Sequence, residues 1–104
     1  MKLPIYIDID GTLTDKPGGK GTALDGRIAI VKRMIESGTP VVLWSSAGTE
    51  YAQTFAKQHD IKAEAAIGKP DYCIDDMKAI KWNGMKVRSP GYLDVLGILD
   101  SAHD

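Results

Sequence analysis

The sequence predicts an α/β protein, a three-layer sandwich in which helices cover both faces of a mostly parallel sheet. Two observations predict this class. Short apolar runs rich in β-branched residues alternate with longer segments whose apolar residues recur at helical spacing. The apolar runs are also near-continuous, which is typical of strands that are buried on both faces. Because 104 residues suffice for one hydrophobic core, we expect residues 1–104 to form a single domain.

The first half of the chain contains two predicted strands, each followed by a predicted helix. The strands cover residues 3–9 and 40–44, and the helices cover residues 25–37 and 49–58. Asp25 is the expected N-cap of the first helix, and Gly38 supplies its stop. The polar, glycine-rich segment 15–23 is predicted to be a mobile loop. We expect the second helix to bury its apolar side chains, which are Tyr51, Ala52, Phe55 and Ala56.

The second half is predicted to contain three short strands and a final helix. The strands cover residues 63–67, 72–74 and 79–82. Asn83-Gly84 is a turn signal that either closes the last strand or joins it in a hairpin to residues 85–87. Ser89 is expected to be the N-cap of the final helix, with Pro90 at the first helical position. The residues that this helix should bury are Tyr92, Val95, Leu96 and Leu99.

The bulk composition narrows the classes of function. Hydrophobic residues make up 43% and charged residues 26% of the chain, and the formal net charge is -1. Such a balance provides no general attraction to nucleic acid or to an anionic membrane. The single cysteine, Cys73, excludes an internal disulfide, and its apolar neighbours predict that it is buried. Since no apolar run reaches membrane-spanning length and the N-terminus resembles a strand rather than a signal peptide, we expect a cytoplasmic protein.

The most informative stretch is Ile5–Thr14, in which an apolar strand runs into two carboxylates and a glycine. Asp8 and Asp10 are two positions apart, so they share one face if the extended geometry continues through Asp10. Gly11 then allows the chain to turn sharply. Two carboxylates held this close repel each other unless a cation or a shared proton compensates. The stretch therefore predicts chemistry rather than a purely structural role.

Polar residues also follow other predicted strands. Ser45-Ser46 follows the second strand, and Asp75-Asp76 follows a later one. Because ligands bind beyond the carboxyl ends of parallel strands, we expect these side chains to meet the first carboxylate pair at one edge. Magnesium prefers such oxygen ligands, and no His or Cys cluster suggests zinc. The serine hydroxyls and the start of the second helix favour the binding of an anion. Metal-binding carboxylates beside an anion site indicate phosphoryl transfer.

Four motifs in this order resemble those of the haloacid dehalogenase-like (HAD) superfamily of phosphatases and phosphotransferases. Asp8–Thr14 closely matches that family's Asp-x-Asp-Gly-Thr-hydrophobic-Thr signature. The strand that ends in Ser45 matches the second motif, Lys69 matches the third, and Asp75-Asp76 matches the fourth. The resemblance covers roughly residues 3–82 and implies a Rossmann-like sheet.

The resemblance also implies a mechanism. Asp8 would be the nucleophile that becomes an aspartyl-phosphate, a route that splits one difficult displacement into two easier ones. Asp10 would act as general acid towards the leaving group and then as general base for water, and a carboxylate at this position favours a phosphatase over a dehalogenase. Magnesium would be held by Asp8, by the backbone carbonyl of Asp10 and by the acidic pair, with Asp76 in direct contact and Asp75 supporting it.

Five residues are expected to bind the phosphate of the substrate: Gly11, Thr12, Ser45, Ser46 and Lys69. Lys69 would also neutralise charge on Asp8. Only residues 70–74 separate this lysine from the acidic pair, whereas a parallel crossover needs about a dozen residues. Lys62 and Lys20 therefore stay open as substitutes for it.

The chain has no room for a cap domain, because the two usual insertion points hold only segment 15–23 and one helix. An uncapped site stays open to water and to large substrates unless a homo-oligomer partner covers it, and segment 15–23 is a candidate flap.

The leading hypothesis is a magnesium-dependent phosphomonoester hydrolase. The alternatives are a non-catalytic HAD-fold binding module and a phosphatase of nucleic-acid phosphate ends, which the net charge of -1 does not support.

Overall fold

The computed structural model describes residues 3–76 and 86–102. Within these ranges the elements are β1 (Ile5–Asp8), α1 (Asp25–Glu36), β2 (Val41–Ser45), α2 (Thr49–Gln58), β3 (Ala65–Gly68) and α3 (Tyr92–Ala102). This alternation of strands and helices confirms the α/β class. The predicted strand at 79–82 and the hairpin alternative at Asn83-Gly84 lie outside the described residues.

The three strands form one parallel sheet in the order β1-β2-β3. Asp8 in β1 lies opposite Trp44 in β2, and Ser45 lies opposite Gly68 in β3. Two successive strand–helix–strand units build this sheet, as the alternating sequence pattern predicts. Because all three strands run the same way, their carboxyl ends meet at one edge, and this edge positions the candidate site.

The hydrophobic core lies on one face of the sheet. Its strand residues are Ile7, Val41 and Leu43, and Ile9 joins them directly after β1. Its helix residues include Ile28, Val31, Ala52, Phe55 and Leu93. On the opposite face Tyr6 is 47% exposed, and its ring meets that of Trp44 edge to face with centroids 5.0 Å apart. All three described helices contribute to the single core. A third layer, which the sequence predicts, is therefore not confirmed by the part of the chain that the structure describes.

The signals for helix ends are confirmed in part. α1 ends at Glu36, and Gly38 follows with a φ of 93°, a left-handed conformation that glycine adopts without steric cost. The prediction that Asp25 is the N-cap is wrong, because Leu24 holds that position and its side chain makes no capping hydrogen bond. Asp25 instead places its charge in the first turn, where it suits the helix dipole. α2 has the predicted bounds, Thr49–Gln58.

Residues 72–74 do not form the predicted strand. The segment is irregular and exposed, and Cys73, which we expected to be buried, is exposed with it. β3 ends at Gly68, so residues 69–71 alone would have to carry the chain to another parallel strand. Such a crossover needs about a dozen residues. The short connection explains why an apolar run of strand-like composition stays outside the sheet.

α3 buries a different face from the predicted one. Of the expected core residues, Tyr92 and Val95 are exposed, Leu96 is half-buried and the side chain of Leu99 lies outside the described part. Leu93 is buried instead, and Gly97 lies so close to α1 that a Cβ there would stand 2.6 Å from Cδ1 of Ile30. The contact between α1 and α3 therefore centres on a glycine, which a pattern of apolar side chains does not include.

Candidate active site

The chain leaves the sheet abruptly after β1. β1 ends at Asp8, and the carbonyl oxygen of Ile9 accepts hydrogen bonds from the backbone N–H groups of residues 12–14 at distances between 2.8 and 3.2 Å. Gly11 sits in this turn with a φ of 82°, which a residue with a Cβ rarely adopts. The extended geometry does not continue through Asp10, so the condition for a face shared by the two carboxylates is not met.

Asp8 is held between a cation and a hydroxyl. The Nζ atom of Lys69 lies 3.0 Å from Oδ1 of Asp8, and the hydroxyl of Thr12 donates to Oδ2 at 3.1 Å. The same Nζ lies 5.5 Å from the ring centroid of Trp44, within range of a cation–π contact. The Lys69 and Asp8 side chains are 35% and 31% exposed, so both remain accessible from solvent.

The structure brings Lys69, rather than either substitute, to Asp8. The residue directly follows β3, and its backbone N–H donates to the carbonyl of Ser45 at 2.9 Å, which continues the pairing of β3 with β2. Lys69 thus lies at the carboxyl edge without a further crossover after β3. Lys62 and Lys20 are exposed. The short connection formed by residues 70–74 therefore restricts the position of the acidic pair Asp75-Asp76 and not that of Lys69.

Asp10 binds two hydroxyl groups from β2 and α2. The Tyr51 hydroxyl donates to Oδ1 of Asp10 at 2.6 Å, and the Ser45 hydroxyl donates to Oδ2 at 3.3 Å. Ser45 is 1% exposed, and its Oγ atom also accepts the backbone N–H of Ala47 at 3.0 Å. Hydrogen bonds to an ionised carboxylate are among the strong ones in proteins. The two hydroxyls therefore fix the orientation of the Asp10 side chain.

Tyr51 is a site residue that the sequence did not reveal. Its helical spacing predicts a core residue, and the half-buried side chain does pack against the core, but its hydroxyl faces the carboxyl edge of the sheet. The position is in the first turn of α2, which begins close after the end of β2. The sequence signal for this role is the hydroxyl group itself, because a partly buried tyrosine usually has a hydrogen-bond partner for its hydroxyl.

Tyr51 is expected to ionise at unusually high pH. Partial burial, the hydrogen bond to Asp10 and the charges of Asp10 and Asp8 raise the pKa of Tyr51 to about 12. The pKa of an unfolded tyrosine is about 10, so this hydroxyl stabilises the fold fully below that pH and loses its contribution as the pH rises through about 12. Tyrosinate absorbance should show one group titrating near 12 that Tyr51→Phe removes. Loss of a group that titrates near the ordinary value instead would contradict the contact with Asp10.

The other predicted ligands are not all gathered at this edge. The backbone N–H of Gly11 donates to the hydroxyl of Thr14 at 3.1 Å, so it is used within its own turn. Ser46 is exposed in the turn that joins β2 to α2. Asp75 and Asp76 are exposed in the irregular segment that follows Lys69. The phosphate-binding role of Gly11 and Ser46 and the metal-binding role of the acidic pair stay predictions.

The edge fits magnesium in donor chemistry but falls short in the number of ligands. Asp8 and Asp10 supply carboxylate oxygens beside hydroxyl oxygens, and such hard donors suit this ion. Among residues 3–76 and 86–102, however, no group of three or more His, Cys, Asp or Glu side chains is placed to hold a metal. The predicted set is complete only if Asp75 or Asp76 approaches Asp8.

Segment 15–23 forms a closed loop beside the site. Two hydrogen bonds between Asp15 and Thr22, of 2.7 and 3.0 Å, join its ends. The loop faces α2 across a cavity of about 240 Å³. A larger cavity of about 750 Å³ lies between α1 and α3, beside Arg27 and Asp94, and none of the candidate site residues lines it. The smaller cavity is lined by Tyr51, and it therefore adjoins the candidate site.

Arg27 ties the turn after β1 to the helices. Its Nη1 atom donates to the backbone carbonyl of Thr12 at 3.0 Å, and its Nε and Nη2 atoms bind the carboxylate of Asp94 at 3.2 and 3.0 Å. This bidentate pair raises the pKa of Arg27 and lowers that of Asp94. Arg27 thereby supports the residue that orients Asp8 without touching Asp8 itself.

Comparison of the chain with known protein families, curated proteins and solved structures found no match. The four motifs and the geometry of the sheet edge are therefore the grounds for the function proposed below. None of the described helices is both long and apolar enough to cross a membrane.

Proposed function

We propose that the protein is a magnesium-dependent phosphomonoester hydrolase of the HAD-like type, acting through an aspartyl-phosphate. The setting of Asp8 carries the proposal: a half-exposed carboxylate at the carboxyl end of β1, 3.0 Å from the Nζ atom of Lys69 and 3.1 Å from the hydroxyl of Thr12. An ion pair so open to solvent contributes little to stability. Its place at the ligand-binding edge of a parallel sheet is better explained by chemistry.

The first step transfers the phosphoryl group to Asp8. A carboxylate oxygen of Asp8 forms a bond to phosphorus while the bond from phosphorus to the leaving oxygen breaks. Asp10, which enters this step in its protonated form, gives its proton to that oxygen, so the leaving group departs as an alcohol. Lys69 neutralises negative charge on Asp8 and on the phosphoryl group, and the hydroxyl of Thr12 keeps Asp8 oriented.

The second step returns Asp8 to its starting form. Asp10, now a carboxylate, accepts a proton from a water molecule as the water oxygen attacks phosphorus, and the bond between phosphorus and Asp8 breaks. The hydroxyls of Tyr51 and Ser45, which bind Asp10, support the ionised form that this step needs. Inorganic phosphate is the product.

Magnesium would be held by Asp8, by the backbone carbonyl of Asp10 and by the acidic pair, with Asp76 as the direct contact. The ion would supply neutralisation of the phosphoryl oxygens, which lets an anionic nucleophile approach an anionic substrate. This assignment requires segment 71–76, which has no place in the sheet, to approach the edge.

The proposal predicts release of inorganic phosphate that depends on magnesium. Purified protein should hydrolyse acetyl phosphate and an aryl phosphate, lose this activity to a chelator and regain it with added magnesium. The substrate panel should include oligonucleotides with 3′- or 5′-phosphate ends, so that the same experiment tests processing of nucleic-acid ends. Absence of turnover on the whole panel would refute the proposal, whether or not the protein binds magnesium.

A non-catalytic phosphate-binding module is the second candidate. The observation that favours it is that Asp8 and Asp10 are already paired, while the described residues contain no group of three or more metal-ligand side chains. Such a module would bind inorganic phosphate or magnesium without hydrolysing any phosphate ester. Binding measured by calorimetry, with no turnover in the assay above, would identify it.

A further inference from the structure

We infer that the cavity between segment 15–23 and α2 binds the leaving group of the substrate, and that it selects an uncharged, hydroxyl-bearing ring of monosaccharide size. We call this cavity the leaving-group pocket; its walls include Gly19, Gly21, Tyr51, Thr54, Phe55 and Gln58. The inference rests on the proposed function, because it assigns the part of the substrate that Asp10 would protonate.

The pocket shares its walls with the turn that carries Asp10. Tyr51 lines the pocket, and its hydroxyl binds Oδ1 of Asp10 at 2.6 Å. Thr14 also lines it, and the hydroxyl of Thr14 accepts the backbone N–H of Gly11, the residue next to Asp10. A group seated at the Tyr51 end of the pocket would therefore lie beside the proposed general acid.

The lining favours a neutral polar ligand. Phe55 and Ala23 supply apolar surface, whereas the hydroxyl of Thr54 and the amide of Gln58 supply hydrogen-bonding groups. No Asp, Glu, Lys or Arg lines the cavity, and its titratable side chains are Tyr51 and His59. A carboxylate or a second phosphate would therefore find no permanently charged side chain to pair with. A sugar or cyclic polyol meets both surfaces, because its C–H face packs on apolar groups while its hydroxyls bind amide and hydroxyl partners.

The size of the cavity suits a ligand of about one ring. Its volume of about 240 Å³ lies below the range of roughly 300–1,000 Å³ that drug-sized ligands occupy. Two glycines allow the loop to fold tightly on itself: Gly19 has a φ of 77°, and a Cβ at Gly21 would stand 2.7 Å from the backbone nitrogen of Lys16. The loop predicted to be a flap thus has a specific object to cover.

A tryptophan placed in the pocket tests the inference. Thr54 is an exposed residue of α2 that lines the pocket, and its neighbour Gln53 is an exposed residue of α2 that does not. Thr54→Trp should raise KM for a hexose or pentose phosphate by about tenfold or more and should change kcat/KM for acetyl phosphate, which has no ring, much less. Gln53→Trp should change neither value.

The outcomes separate the two proposals. If wild-type protein hydrolyses neither acetyl phosphate nor the sugar phosphates, the proposed function fails. If acetyl phosphate is hydrolysed but Thr54→Trp leaves the sugar phosphate unaffected, or impairs both substrates equally, the pocket assignment fails alone. Titration with free ribose or glucose provides a readout without catalysis: amide resonances of Gly19 and Gly21 and the side-chain amide of Gln58 should shift in the nuclear magnetic resonance spectrum. Shifts confined to other regions, or none, would overturn the assignment.

Discussion

Replacing Asp8 with asparagine is expected to abolish phosphate release while the fold stays intact. The asparagine side chain has the same shape and still accepts the hydroxyl of Thr12, but it is a poor nucleophile and cannot pair with the charge of Lys69. Removing a covalent nucleophile typically costs on the order of 10⁴- to 10⁶-fold in kcat. The measurement is release of inorganic phosphate from acetyl phosphate with magnesium, together with trapping of the phosphorylated enzyme, which the variant should not form.

Asp60→Asn is the matched control for this prediction. Asp60 is exposed just after the end of α2 and has a φ of 52°, a left-handed conformation that asparagine tolerates as well as aspartate does. The change removes one negative charge, as Asp8→Asn does, but at a distance from the edge of the sheet. The free energy of unfolding of each variant should lie within about 1 kcal/mol of the wild-type value. Full activity in Asp8→Asn, or equal loss in both variants, would remove Asp8 from the mechanism.

The parts of the site that follow from local sequence could be predicted. An apolar run that stops at a carboxylate and a glycine predicts the turn at Gly11, and it predicts the end of β1 to within one residue, at residue 9 where the structure has Asp8. The end of β2 at Ser45 is specified in the same way. Lys69 reaches Asp8 because parallel strands end at one edge, so topology alone brings these distant residues together.

Contacts made by side chains across the fold could not be predicted in this way. Tyr51 binds Asp10 from 41 positions along the chain, and Arg27 binds Asp94 from 67 positions away. Neither contact can be predicted from the spacing of apolar residues in the sequence, because each depends on how a helix is rotated against the sheet or against another helix. Segment 72–74 shows the converse: its composition is typical of a strand, but the length of the connection before it decides against one.

Replacing Asp10 with asparagine is expected to slow hydrolysis of alkyl phosphates by roughly 10²- to 10⁴-fold, the usual contribution of a general acid or base. The amide oxygen can still accept the hydroxyl of Tyr51, and the amide nitrogen can donate to the Oγ atom of Ser45. The side chain should therefore keep its place while it loses the ability to give and take a proton. The effect should appear mainly in kcat, because Lys69 can still bind the phosphoryl group.

The dependence on the leaving group distinguishes an acid from a merely structural residue. An alkoxide leaves poorly without a proton, whereas the leaving groups of acetyl phosphate and of an activated aryl phosphate depart readily as anions. In Asp10→Asn the rate of the first step should therefore fall much more for an alkyl phosphate than for these two substrates, as single-turnover measurements would show. The ratio of the two rates is independent of the fraction of protein that is folded, so misfolding cannot imitate the result. An equal loss on all substrates would mean that Asp10 supports the edge of the sheet rather than donating a proton to the leaving oxygen.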